Sequence, residues 1–198
     1  MRIVSGAFKG RKFAMTVPPG VRPTQDSVRE SIFNVLNNLI QLDGKVLADI
    51  FAGTGGLGLE ALSRGAEKVF FFEKNRKTLE SLVRTCNDFK LGKEQTVFVS
   101  GNAEKSLSQF PLLYPNIRFD LVMSDPPYEM LMGTKIMNML ADKRLLNDNA
   151  IVVIESSAFE IINISNDYKL LLTKDYGETK VTFFRYIKNL EENKTGIK

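Results

Sequence analysis

Hydrophobic positions along this chain change period several times, and each change marks an element. Between Asp26 and Ile40 the apolar residues Val28, Ile32, Phe33, Val35, Leu36 and Leu39 recur every three or four positions, which predicts an amphipathic helix. Asp26 is placed to cap that helix, and Asp43-Gly44 supplies the turn that stops it. Val46 to Phe51 and Lys68 to Glu73 then read as buried strands, with a helix from Leu57 to Arg64 between them. Leu79, Leu82, Val83, Cys86 and Phe89 mark one face of a further helix. Further strands are predicted at Thr96 to Val99, Phe119 to Ser124 and Ala150 to Glu155, with a helical segment around Lys135 to Ala141. This alternation predicts a parallel sheet covered by helices on both faces.

Both ends of the chain depart from that rhythm. Tyr168 to Lys174 and Lys180 to Tyr186 are strand-like runs separated by Asp175-Tyr176-Gly177-Glu178, so an antiparallel hairpin is expected to complete the sheet. Residues 1 to 14 alternate small, apolar and basic positions around Gly6 and Gly10, which predicts a short β-hairpin ended by Pro18-Pro19-Gly20. At 198 residues the chain suits one α/β domain. The expected division is a basic extension and loop over 1–25, the α/β domain over 26–188 and a polar tail over 189–198.

Charge sharpens the role of the extension. The net charge is +4, yet residues 1–25 hold Arg2, Lys9, Arg11, Lys12 and Arg22 and no acidic residue. A local cationic patch attracts polyanions by releasing counterions from phosphate backbones, so nucleic acid is the leading partner. The sequence contains no histidine and one cysteine, Cys86. Histidine-based triads and dyads, histidine-ligated metal and an intrachain disulfide are thereby excluded, and no metal is expected. Cys86 falls on an apolar helix face and reads as core. No run approaches the ~20 apolar residues of a membrane helix, and the default expectation is a cytoplasmic monomer.

Two motifs carry chemistry. Asp49-Ile50-Phe51-Ala52-Gly53-Thr54-Gly55-Gly56-Leu57-Gly58 runs from a strand into a helix and contains G-x-G-x-x-G. Such glycines let the backbone approach a ligand, and the helix start presents free N–H groups. Glu73 ends the next strand 20 residues after Gly53, where a carboxylate can accept both hydroxyls of a ribose. Nicotinamide dehydrogenases and methyltransferases share this arrangement. Asp49 favours the second, because a carboxylate there would oppose a pyrophosphate but suits the sulfonium and ammonium of S-adenosylmethionine. Gly101-Asn102-Ala103 follows the third strand, at the tip where an adenine lies, and the Asn102 amide is a candidate for its edge.

The second motif is Asp125-Pro126-Pro127-Tyr128, reached directly from the strand Phe119 to Ser124. Successive prolines fix the backbone and hold carbonyls in set directions. The amino group of a nucleic-acid base is a poor nucleophile because its lone pair is delocalised into the ring. If Asp125 and the Pro126 carbonyl accept both amino hydrogens, the nitrogen is drawn toward a tetrahedral form that can attack a methyl donor. Tyr128 would stack on the base.

Taken together the residues resemble the RsmD-type methyltransferases, which modify the N2 amine of a guanine in small-subunit (16S) ribosomal RNA. The resemblance covers nearly the whole chain, through Arg2-Ile3-Val4-Ser5-Gly6, Lys9-Gly10-Arg11-Lys12, Arg22-Pro23-Thr24 and Asp26-Ser27-Val28-Arg29-Glu30, then the glycine motif and Asp125 to Tyr128. It implies a Rossmann-like class I S-adenosylmethionine methyltransferase fold with a seven-stranded, mostly parallel sheet. It further implies cofactor contacts at Asp49, Phe51, Gly53, Gly55, Glu73, Asn102, Ala103 and Asp125, an amine site from Asp125 to Tyr128, and ribosomal RNA contacts at Arg2, Lys9, Arg11, Lys12, Arg22 and Thr24. Thr54 and Gly56 stand where Ser and Ala are commoner, and Asn102 where many relatives have Asp. An adenine-N6 methyltransferase and a nicotinamide-binding oxidoreductase are the alternatives.

Overall fold

Four successive apolar residues, Val69 to Phe72, lie at the centre of strand β2 (Lys68–Glu73), and all are buried. A strand can be apolar on both faces only where both are covered, and this one sends Val69 and Phe71 into one core layer, Phe70 and Phe72 into another. Each buried phenylalanine contributes about 1.5–3 kcal/mol relative to exposure. The computed structural model describes residues 1–13, 26–126 and 132–188. The expected polar tail over 189–198 lies outside the described residues.

The elements follow in the order α1 (Asp26–Leu36), β1 (Val46–Ile50), α2 (Gly56–Ser63), β2, α3 (Arg76–Asp88), β3 (Thr96–Ser100), α4 (Ala103–Leu113), β4 (Phe119–Ser124), α5 (Gly133–Asp142), β5 (Leu146–Ser157), β6 (Tyr168–Tyr176) and β7 (Thr179–Tyr186). The sheet order is β3-β2-β1-β4-β5-β7-β6. β1 to β5 are mutually parallel, and β7 runs antiparallel to both β5 and β6. This is the seven-stranded Rossmann-like sheet with an antiparallel C-terminal hairpin. Residues of α1, α2, α3 and the N-terminal segment cover one face, and those of α4 and α5 the other.

Four expectations are revised. The β-hairpin over residues 1 to 14 is present but short: Arg2 bridges Lys12, and Ile3 N–H donates to the Arg11 carbonyl at 3.0 Å, Gly10 N–H to the Ile3 carbonyl at 2.9 Å and Phe13 N–H to the Met1 carbonyl at 3.2 Å. Its loop is engaged elsewhere: the N–H groups of Val4 and Ser5 donate to the Glu60 carboxylate, Ala7 N–H to the Ser63 carbonyl and Phe8 N–H to Ser63 Oγ. Helix α1 ends at Leu36, short of Ile40, in a turn at Asn37 and Asn38. Asp26 stands in its first turn with its carboxylate on Arg29, 2.9 Å away, and toward Arg2 at 3.8 Å. Strand β5 begins at Leu146, earlier than its apolar run, because its pairing with β4 shifts register across the polar Asn147-Asp148-Asn149.

Helix α4 is the fourth revision, an element that the periodicity does not announce. Its buried positions are Ala103, Ser106, Leu107 and Phe110, and Pro111 interrupts the pattern near its end. Asn102 starts it by accepting the N–H groups of Glu104 and Lys105 at 2.9 and 3.2 Å. A side-chain cap of this kind contributes about 1 kcal/mol.

Candidate active site

The sheet reverses its strand order between β1 and β4, and ligands of open α/β sheets bind beyond the strand carboxyl ends at such a switch point. Three of the expected acidic residues meet there. Asp49 is the fourth residue of β1, Glu73 the last of β2, and Asp125 immediately follows β4. Asp125 N–H donates to the Ile50 carbonyl at 3.3 Å, so the β1–β4 pairing carries on past Ser124 and holds Asp125 beside the glycine turn.

That turn is built by backbone geometry. Phe51, Gly53 and Gly55 have φ of 62, 54 and 76°, in the left-handed region. Gly55 is the N-cap of α2, and a Cβ there would lie 2.4 Å from Leu82. Gly58 has another reason: a Cβ would come within 2.3 Å of the Phe71 ring, so its absence lets α2 sit close against the sheet. Beneath the turn, Asp49 is 2% exposed and accepts the Gly58 N–H at 2.9 Å. Glu73 accepts the N–H of Gly53 at 2.9 Å and of Asn75 at 2.6 Å. The two carboxylates therefore bind the turn from below while retaining acceptor capacity for a ligand.

Electrostatically this is a site for a cation. Burial pushes the Asp49 carboxyl up to about 7; the Gly58 N–H lowers it, and the neighbouring Glu73 charge raises it further. A positive ligand group would relieve both the burial and the repulsion, whereas a phosphate would increase them. The thiol of Cys86 is likewise pushed up by burial, to about 12, as expected of core and not of a nucleophile.

The remaining expected residues divide. Ala103 is buried as the first residue of α4. Asn102 commits its carbonyl oxygen to capping, which leaves its amide N–H groups as the donors it could offer a ligand. Lys9 and Lys12 are exposed, as is Arg2. Arg11 is exposed but engaged: its guanidinium lies 4.1 Å from the Phe89 ring centroid and donates to the Asp88 carbonyl at 2.6 Å. Pro126 is buried beside Asp125. Pro127, Tyr128, Arg22 and Thr24 lie outside the described residues.

One cluster was missed by sequence reasoning. Glu60, fully buried in α2, accepts Val4 N–H at 2.7 Å, Ser5 N–H at 2.9 Å and Arg64 Nε at 2.8 Å, and lies 3.8 Å from Nε of the equally buried Arg29. Arg29 also donates to the Arg2 carbonyl at 2.5 Å. Met1 Sδ accepts Thr54 Oγ1 at 3.4 Å. The N-terminal segment is thus fastened to the helix that carries the glycine turn. The signals were present: Arg29 shares α1's buried stripe with Ile32, Phe33 and Leu36, and Glu60 is the one charged residue in the Gly56–Ser63 helix.

Comparison with known proteins identifies the family. The profile of the family described as conserved hypothetical protein 95 matches residues 1–185. The ribosomal RNA small subunit methyltransferase D of Haemophilus influenzae is 33% identical over 89% of this chain and 89% of its own. Its namesake in Escherichia coli K12 is 36% identical over 79% of this chain and 74% of its own. The solved structure of yhhF, a candidate methyltransferase of Escherichia coli, superposes with a TM-score of 0.84 at 28% identity, covering 96% of this chain and 99% of that one. This chain belongs to the conserved hypothetical protein 95 family, the RsmD family of methyltransferases.

Proposed function

We propose that this chain transfers a methyl group from S-adenosylmethionine to the exocyclic N2 amine of a guanine in small-subunit (16S) ribosomal RNA, in the cytoplasm. The observation that carries the reading is the meeting of a buried acidic pair, Asp49 and Glu73, with Asp125 across the β1–β4 switch point. The relatives named for small-subunit ribosomal RNA methylation support the substrate class.

The residues fit the donor. Asp49 and the turn from Phe51 to Gly55 suit its methionine end, the Glu73 carboxylate its ribose hydroxyls, and the Asn102 amide with Ala103 its adenine. Bound there, S-adenosylmethionine supplies an electrophilic methyl on a cationic sulfur. Asp125 and the Pro126 carbonyl accept the two hydrogens of the guanine amine, concentrating its lone pair and directing it along the line of displacement. Tyr128 stacks on the base. Arg2, Lys9, Arg11, Lys12, Arg22 and Thr24 of the extension engage the RNA backbone.

The direct test supplies labelled S-adenosylmethionine and small-subunit ribosomal RNA, free or in particles, and maps the product by mass spectrometry. N2-methylguanine is expected. Methylation of adenine N6 would overturn the substrate assignment, and binding of NAD(H) without S-adenosylmethionine would overturn the cofactor.

A pH dependence follows from Asp49. Its ligand-free carboxyl titrates near 7. A cationic ligand favours the ionised form, so protons compete with binding below that value. Affinity for S-adenosylmethionine is expected to rise up to roughly tenfold per unit as the pH approaches 7, then to decline above about 8 as the ligand's α-amino group loses its proton. In Asp49→Asn the acidic limb should vanish, with the loss of affinity largest between about pH 7 and 8 and shrinking toward pH 5, where the wild-type carboxyl is itself neutral. Calorimetric titration from pH 5 to 9 checks this, and a flat acidic limb in the wild type would remove Asp49 from cofactor binding.

A further inference from the structure

Beyond the amine site, the loop leaving β5 presents two large apolar side chains to solvent: Phe159 is 90% exposed and Ile161 78%. Their neighbours turn the other way, Glu160 being 5% exposed and Ile162 half-buried. This in-and-out alternation is held by many bonds. Glu160 Oε1 accepts the Gly133 N–H at the start of α5, at 2.9 Å. Ala158 N–H donates to the Glu178 carbonyl at 2.9 Å, Phe159 N–H to Ser157 Oγ at 3.3 Å, and Asn163 N–H to Thr134 Oγ1 at 2.9 Å. The Lys180 ammonium donates to the carbonyls of Ala158, at 3.2 Å, and Glu160. Exposure of the two side chains is therefore imposed by a tethered backbone, and a rigid aromatic costs little entropy on binding.

Position gives this pair a role. Ile154 of β5 is the register partner of Ser124, the residue before Asp125. Five residues of chain and one strand spacing place Phe159 within about 18 Å of the amine site. Gly133, which anchors Glu160, begins the helix that follows the Asp125 motif. From Ser157 to Asn163 the only charged residue is Glu160, and it faces inward with Lys180 beside it. Within the Ser157–Asn163 segment no outward-facing side chain is acidic, and the Phe159 ring and the sec-butyl side chain of Ile161 match the apolar face of a base.

We propose that Phe159 and Ile161 form a platform on which an unpaired base of the RNA, a few nucleotides from the methylated guanine, stacks as the amine site is loaded. This rests on the RNA-methyltransferase reading above and adds a substrate-positioning subsite to it. Stacking of a base on an aromatic side chain corresponds to roughly 5- to 150-fold in affinity.

The chain contains no tryptophan, so Phe159→Trp introduces a single fluorescent reporter. Protein-free small-subunit ribosomal RNA should quench its emission by about half or more at saturation. Phe159→Ala should lower kcat/KM for RNA roughly tenfold, mainly through KM, with S-adenosylmethionine affinity unchanged, and Phe159→Tyr should restore it. Unchanged emission while RNA binds, or an alanine variant within about twofold of wild type, would overturn the platform. Quenching and a defect confined to protein-bearing particles would mean that a ribosomal protein covers this face, which also overturns it. A wild-type protein that methylates no ribosomal guanine would instead sink the parent reading, and that result is read before any variant is made.

Discussion

Asp125→Ala is expected to lower methyl transfer to ribosomal RNA by roughly 10³-fold or more while S-adenosylmethionine still binds. The size follows from removing one preorganised polar group that acts on the reacting atom, which alone costs about 10²–10³-fold in other sites. Here the same group also orients the nucleophile, adding a positioning loss. The backbone bond from Asp125 N–H to the Ile50 carbonyl does not depend on the side chain, so the variant should fold and keep the β1–β4 junction. Incorporation of labelled methyl, with calorimetry of the cofactor on the same preparation, separates the two effects. Activity within a few-fold of wild type would remove Asp125 from the reaction.

Glu60→Ala is expected to give the largest loss of stability, on the order of 3–5 kcal/mol. The carboxylate is fully buried, and its removal leaves the N–H groups of Val4 and Ser5 without their acceptor and Arg29 with only the half-exposed Asp26 as a counter-charge partner. A melting midpoint lower by roughly 10 °C is the corresponding readout for a chain of this size. Hydrogen exchange at Val4 and Ser5 should accelerate in the variant, because these amides bond to Glu60 rather than to a strand. Glu60→Gln, which keeps an acceptor, should lose less. If exchange of the N-terminal amides were unchanged, the fastening of this segment to α2 would be wrong.

This cluster also shows where sequence reading stops. The periodicity placed α1, α2, α3, α5 and all seven strands close to their positions because each buries a stripe or a face whose spacing is written locally. It passed over α4, whose apolar positions are few and whose start depends on the Asn102 cap. The alternation around Gly6 and Gly10 marks the short N-terminal strand pair but not what holds its loop in place. The acceptors that do so, Glu60 and Ser63, lie about 55 residues away in α2, and no local pattern reveals them.

The site divides along the same line. Residue types and spacing alone determined that Asp49, the glycine turn, Glu73 and Asp125 belong at strand ends, since strand length and turn chemistry are local properties. Only the tertiary structure decided that β4 lies beside β1, which brings Asp125 to the glycine turn although 76 residues separate it from Asp49. It also decided that Asn102 caps a helix with its carbonyl oxygen, that Arg11 lies over Phe89, and that Phe159 stands exposed above the β5 end. Each of these depends on which distant backbone or ring a side chain meets, and that is settled by packing, not by the period of the chain.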